Sequence, residues 1–488
     1  MSRAHTQNRA HKVKMEKDLT QGKPTKLIVA FAIPLILGSI FQQLYSMVDT
    51  IIVGQTISVQ ALAGVGATSA ISFLVIGFIQ GMTAGFAILT SQKFGAKDED
   101  GVKKTVAASI VLSAVLSVIL TALSVPTARL LLEVMNTPDT IIAYADDYIT
   151  TIYWGLTATI FYNMFSSLLR SVGDSKSPLW FLILASVINV GLDFLFIMVF
   201  DMGVAGAGWA TTISQGVSAI ACLIHIIRKY KILRINRSHM KFGTHMAGKM
   251  IILGLPMALQ YSIISIGIMV QQSALNNLGD IAIAAYTAAN KINNLATQVL
   301  VCIGTAVATY CGQNRGAGQM ERIKKGVRNS MIVSAVCSVF AALFVILLAK
   351  PLTRLFITDP TVEMLDLSLE YLFWQGVFYV LLGAIYVYRN ALQGMGYSAL
   401  TMFAGLTELG MRAIAAFVFA KFWGYIGICL SNPVAWIGAD VFLLLTYPIM
   451  LRKLMKKYNY PVSNRAFNRM RKTCSTREKH LQADGRNI

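Results

Sequence analysis

The sequence predicts an all-α membrane protein: twelve transmembrane helices in two six-helix lobes related by a parallel internal repeat. Three observations predict it. Of 488 residues, 55% are hydrophobic and only 14% are charged, and the mean hydropathy is +0.59, a composition too apolar for the surface of a soluble protein. Apolar runs recur between charge clusters and turn residues; since about 20 residues cross a bilayer, twelve crossings use roughly half the chain and leave no room for a large soluble domain. Finally, short motifs of the first half return, in order, in the second.

Taken in order, residues 1–26 are a polar N-tail carrying Arg3, Arg9, Lys12, Lys14, Lys17, Lys23 and Lys26. The tail has no apolar core to serve as a secretory signal, so span one must direct insertion. Spans near 27–52, 59–86, 105–125, 148–168, 179–200 and 204–227 make an N-lobe over 27–227. A polar, basic linker over 228–249 leads to a C-lobe over 250–451, with spans near 250–275, 281–310, 327–349, 371–392, 398–420 and 425–451. A basic C-tail follows over 452–488.

Counted on alternate sides, 37 of the 43 Lys and Arg fall with the tails and linker. Arg129, Lys350, Arg354 and Lys421 lie opposite, and Lys291 and Arg412 lie within spans. The positive-inside rule therefore predicts cytoplasmic termini. Asp139, Asp146, Asp147, Asp359, Glu363 and Asp366 read as solvated acids of the opposite-side loops. The net charge of +20 thus sits at span ends, which points to anionic lipid headgroups and not to nucleic acid. A monomer is expected.

The repeat is specific in its order. Pro34 precedes Asp49 by 15 residues, and Pro256 precedes Gln271 by 15, with Met-Val before the polar residue in both. SQKFGAKDEDGVKK (91–104) matches GQNRGAGQMERIKK (312–325), pairing Gln92 with Gln313 and Gly95 with Gly316. SVGDS (171–175) matches GMGYS (394–398), and GVAG (203–206) matches GYIG (424–427). With six spans per half, corresponding spans run the same way, so the repeat axis lies along the membrane normal and the lobes face a central cavity.

Ionisable residues inside spans are costly and therefore informative. Tyr45 and Asp49 lie four apart on one face of span one, and Asn189 and Asp193 do the same in span five. Thr211 follows three glycines early in span six. Carboxylates converging in an apolar lobe can bind and release a proton or, with carbonyl and hydroxyl oxygens, hold Na⁺. In the second lobe Gln271 replaces Asp49, and Glu408/Arg412 replace Asn189/Asp193, reading as an i,i+4 ion pair or a coupling element. Lys291 either pairs with Glu408 or faces the cavity. The cysteines show no CxxC spacing and read as buried small hydrophobes, apart from Cys474 in the C-tail. His5, His11, His225, His239, His245 and His480 lie in tails, the linker or a span end, and HExxH, GxSxG and nucleotide-binding patterns are absent. No enzyme and no cofactor is expected, and energy must come from an ion gradient or a partner; one charge moved through 100 mV supplies about 2.3 kcal/mol.

These residues resemble the multidrug and toxic compound extrusion (MATE) family of cation-coupled antiporters, over about 25–451. The likeness rests on the duplication, on Pro34…Tyr45…Asp49, on the Gln-…-Gly-Ala turns and on Asn189…Asp193…GVAGAGWATT. The resemblance implies an exporter of amphipathic, often cationic, small organic compounds in exchange for H⁺ or Na⁺. It implies Asp49, Asn189 and Asp193 as the cation site, Tyr45 and Thr211 as support, and bending of span one at Pro34. Gln271 cannot ionise, which departs from branches with an acidic second-lobe site and puts coupling in lobe one. Asn163, Gln271, Lys291, Glu408 and Arg412 are candidates for the substrate cavity. The aromatics of span ten (Tyr371, Phe373, Trp374, Phe378, Tyr379, Tyr386) either line that cavity or pack as core. The alternative, a flippase or exporter of lipid-linked precursors, needs a strongly cationic cavity, whereas Lys291 and Arg412 are the only bases read as intramembrane. A scaffold or receptor would leave the paired acids unexplained.

Overall fold

A computed structural model of the chain describes residues 18–458 apart from 136 and 358. Most of the two basic tails, Cys474 included, therefore lies outside the described residues. Among the described residues all regular structure is helical. The first lobe comprises α1 (Pro24–Thr56), α2 (Val59–Ala67 and Ser69–Gly95), α3 (Glu99–Val134), α4 (Asp139–Trp154 and Leu156–Ser171), α5 (Lys176–Asp193) and α6 (Gly203–Lys229). The second comprises α7 (Thr244–Leu275), α8 (Asp280–Gly316), α9 (Met320–Leu347), α10 (Val362–Val377 and Tyr379–Gly394), α11 (Ser398–Ile414) and α12 (Tyr425–Lys457). Ten of these passes are individually long and apolar enough to cross a membrane, and α10, bent by 49° at its break, makes an eleventh. α4 is built the same way, broken at Gly155.

Both broken helices start earlier than the apolar runs indicate. Asp139, Asp146 and Asp147 sit on α4, and Glu363 and Asp366 on α10, not in loops. Helix continues past the apolar stretch because these acids face outward and some find partners: Arg129 Nη1 lies 3.6 Å from Asp146 Oδ2 and Lys350 Nζ 2.7 Å from Asp366 Oδ1. Such exposed pairs orient side chains more than they stabilise the fold.

Helix ends follow local chemistry. Pro24 opens α1, where its missing N–H costs nothing. Asp98 caps α3 by accepting from the Gly101 N–H at 2.8 Å, and its hydrogen bond from Lys93 holds the carboxyl below its ordinary value. α4 and α10 both end at a glycine of positive φ, Gly173 at 90° and Gly396 at 75°. That left-handed cap is why SVGDS and GMGYS recur.

The lobes meet where the SQKFGAK and GQNRGAG motifs end α2 and α8. Gln92 Nε2 donates to Gly394 O at 3.0 Å, and its repeat partner Gln313 donates through Nε2 to Ser171 O at 2.9 Å. Each glutamine thus crosses to the last turn of the other lobe's broken helix. The backbones pack so tightly that a Cβ on Gly95 would collide with the Gln313 carbonyl, and one on Gly316 with the Gln92 carbonyl. The segment before α1 closes over this seam: Leu19 N donates to Gln313 Oε1 at 2.9 Å, Asn314 Nδ2 to Leu19 O at 3.2 Å and Arg322 Nη1 to Gly22 O at 3.0 Å.

Gly95→Val forces two backbones apart. We expect it to destabilise the protein by about 1–3 kcal/mol, as overpacking does, with a lowered melting temperature in detergent. An unchanged melting temperature would show that the seam tolerates separation.

Candidate functional site

Three helices of the first lobe bring the site together. α1 carries Tyr45 and Asp49 one turn apart, α5 carries Asn189 and Asp193 in its last turn, and α6 supplies Thr211. Asp49 is 7% exposed, and Asn189 and Asp193 are fully buried. The carboxyls of Asp49 and Asp193 lie within electrostatic reach of each other. With its amide oriented to satisfy both neighbours, Asn189 donates to Asp193 Oδ2 at 3.0 Å and accepts from Thr211 Oγ1 at 3.3 Å and Thr211 N at 3.1 Å. The Tyr45 hydroxyl lies 3.4 Å from Thr211 Oγ1. Asp49 Oδ1 and Asp193 Oδ1 have no hydrogen-bond partner, which leaves two oxygens for a cation in a site already rich in hard oxygen donors.

Two features of this site are not apparent from the local sequence. Directly after Asp193 the helix widens into a π turn, Phe194–Val199, a distortion frequent at functional sites. Tyr148 of α4 lies within electrostatic reach of both carboxyls. The acid-rich flank around Tyr148 reads as loop; the signal for it is the repeat, which pairs Asp139–Trp154 with Val362–Val377 and so Tyr148 with Tyr371. Pro34 lies inside an unbroken α1, where its ring removes one backbone hydrogen bond and weakens the helix ahead of Asp49.

The second-lobe candidates are placed differently. Gln271 is 1% exposed and donates through Nε2 to Ile428 O of α12 at 3.4 Å, tying two helices together. Glu408 receives Arg412 Nη2 at 2.9 Å, and also Arg389 Nη2 at 2.7 Å. Arg389 counts with the linker-side bases in the sequence, yet it is 4% exposed. It stands near the end of an aromatic stretch, and its counter-charge lies across a turn on another helix. Lys291 is exposed, its Nζ 5.9 Å from the Phe356 ring centroid. Asn163 Nδ2 donates to Thr159 O of its own helix at 2.8 Å. Tyr371 and Tyr379 are core residues whose hydroxyls donate to Asn290 Oδ1 at 3.2 Å and Asn293 Oδ1 at 2.8 Å. Arg170 of α4 is within electrostatic reach of Tyr261 and Cys302 of the other lobe.

Removing one member of a buried ion triad strands the others. Glu408→Ala is expected to destabilise the protein by about 3–5 kcal/mol, and the triple change Arg389→Met, Glu408→Leu, Arg412→Met to recover most of that loss. Thermal unfolding of the purified variants checks both.

The MatE family model matches the chain twice, over residues 34–195 and 256–418, once in each lobe. The chain is similar to the probable multidrug resistance protein YpnP of Bacillus subtilis (strain 168), with 30% identity over 442 residues covering 90% of this chain and 98% of that protein. The probable multidrug resistance protein NorM of Thermotoga maritima is 26% identical over 438 residues, covering 87% and 91%. Among solved structures, the outward-facing conformation of a multidrug resistance MATE family transporter of the MOP superfamily matches with a TM-score of 0.83 at 23% identity, covering 91% of this chain and 99% of that one.

Proposed function

The chain belongs to the MatE family of multidrug efflux transporters, and on that premise we propose that it exchanges H⁺ or Na⁺ for amphipathic, often cationic organic compounds across the plasma membrane, with Asp49 and Asp193 as the coupling pair. It is a membrane transporter, not an enzyme. The observation that carries the proposal is a pair of buried carboxyls, contributed by two helices of one lobe and within electrostatic reach of each other.

Two enclosed carboxylates repel unless a cation lies between them. With H⁺ or Na⁺ bound, α1 and α5 are held together at Asp49 and Asp193, and Asn189, Thr211 and Tyr45 orient the oxygens. When the ion leaves, the repulsion separates the two helices, and α1 yields first near Pro34, where a backbone hydrogen bond is missing. The pair thereby links ion occupancy to helix position, which is what exchange requires. With the linker side as the cytoplasmic side, the closed seam at Gly95 and Gly316 makes this arrangement the one shut toward the cytoplasm, from which substrate leaves.

The test is uptake of a fluorescent cationic dye into everted vesicles under an imposed H⁺ or Na⁺ gradient. Wild type should take up dye only with a gradient, and the gradient that works names the ion. Asp49→Asn and Asp193→Asn should fall to the level of vesicles without the protein, while Thr211→Val should lose only part of the rate. Full gradient-driven uptake by Asp193→Asn would overturn the assignment of the pair.

A further inference from the structure

A second set of enclosed charges lies in the other lobe, outside the coupling pair. Asp440 sits midway along α12, 3% exposed, and neither of its carboxyl oxygens has a hydrogen-bond partner. The Arg389–Glu408–Arg412 triad stands nearby on α10 and α11, and Arg389 and Glu408 are within electrostatic reach of Asp440. Each oxygen of Glu408 is taken by one guanidinium, and the Nε of both arginines is left without an acceptor. One neighbourhood therefore holds two acceptor oxygens without donors and two N–H donors without acceptors. In an interior where unmatched polar groups are costly, that mismatch needs an explanation.

A proton on Asp440 accounts for the acceptor half of it. A carboxylate stripped of water and of donors is strongly disfavoured, whereas a neutral carboxyl tolerates the same surroundings. The triad sums to one positive charge, so an ionised Asp440 would make the four-residue group neutral. Burial without donors works against the charged form of Asp440, and the excess positive charge of the triad works for it. The other titratable groups are consistent with this reading. Tyr388 of α10 feels Asp440 and packs on Tyr447 of α12 at 5.0 Å. Of the remaining elements against α12, α7 carries Tyr261 at mid-helix with His245 and Lys249 at its start, α9 carries Cys337 with its charged residues in its first turns, the first half of α10 carries Glu363, Asp366, Glu370 and Tyr371, and the turn Ala420–Trp423 carries Lys421. The turn Ala415–Phe419 carries none. The repeat did not supply the site, since Ala219 holds the corresponding place in α6.

We propose that Asp440 is a second proton-binding site, seated in lobe two and read by Arg389 and Arg412. With the proton bound, both guanidinia serve Glu408, as observed. When it passes to water, an arginine Nε–H turns to the Asp440 carboxylate, and α12 is drawn toward α10 and α11. Proton binding itself stands apart from the coupling role of Asp49 and Asp193; only its use in transport rests on that reading.

The test is infrared difference spectroscopy of the full chain in lipid nanodiscs, between acidic and mildly alkaline buffer, following the C=O stretch of protonated carboxyls. Asp440→Asn should remove one component of that band, and the double variant Asp49→Asn, Asp193→Asn should keep it. Asp440→Glu should restore the component at a shifted frequency, which decides the matter if Asp440→Asn fails to give monodisperse protein. A spectrum of Asp440→Asn that superimposes on wild type, or an Asp440→Glu band identical to wild type, would overturn the proposal. Loss of dye uptake in the lobe-one variants is read separately, so failure of the coupling reading and failure of this one give different results.

Discussion

Close approach of two backbones at Gly95 and Gly316 is the constraint on which the arrangement of the lobes depends. Two six-helix lobes inserted independently have little hydrophobic reason to associate, since lipid tails are as apolar as the helix faces they would cover. What joins them is close backbone packing, at this seam and along α2 against α7 where Gly81 and Gly85 meet Ala258 and Gly254, and a reciprocal pair of amide hydrogen bonds, Gln92 to Gly394 and Gln313 to Ser171. The seam packing and the hydrogen bonds come from one motif used twice. The contact is therefore self-complementary about the repeat axis, and α1 and α7, each with a proline inside an unbroken helix, pack across it on α8 and α2.

The two lobes handle enclosed charge in different ways, and the difference follows from a few substitutions between the repeats. Among the described residues, the two acids enclosed in the lobe-one site, Asp49 and Asp193, have no basic side chain in an ion pair with them. Lobe two has built-in counter-ions at Glu408, held by guanidinia that cannot lose their charge. A fixed triad is a poor carrier but a stable anchor. The two lobes thus enclose their charges in different settings, although both descend from the same fold.

Much of this was legible in the sequence. Twelve apolar stretches and the ordered repeat specified the fold, because hydropathy and turn glycines are local properties. The residues that meet in lobe one were legible for a similar reason: Asp49 with Tyr45, and Asp193 with Asn189, mark one helix face at a spacing of four. What stayed hidden depends on partners distant in sequence. Arg389 reads as an interfacial base until Glu408 is seen across the turn, and Tyr148 lies in a flank whose acids mimic a loop. Asp440 carries the same signal as Asp193, a lone acid among apolar residues, but has no polar companion four residues away around which to draw a site.

Both lobes carry a π turn just beyond the residues of interest on α5 and α11, at Phe194–Val199 and Ala415–Phe419. Their starts are separated by the same interval that relates Gln92 to Gln313. A π turn accommodates one residue more than the α-helical turn it replaces, so each marks an extra residue absorbed within a span. Two separate insertions at equivalent points would be a coincidence. The simpler history is that an ancestral six-helix unit already held the extra residue before it was doubled, which makes the widened turn older than the pairing of the lobes.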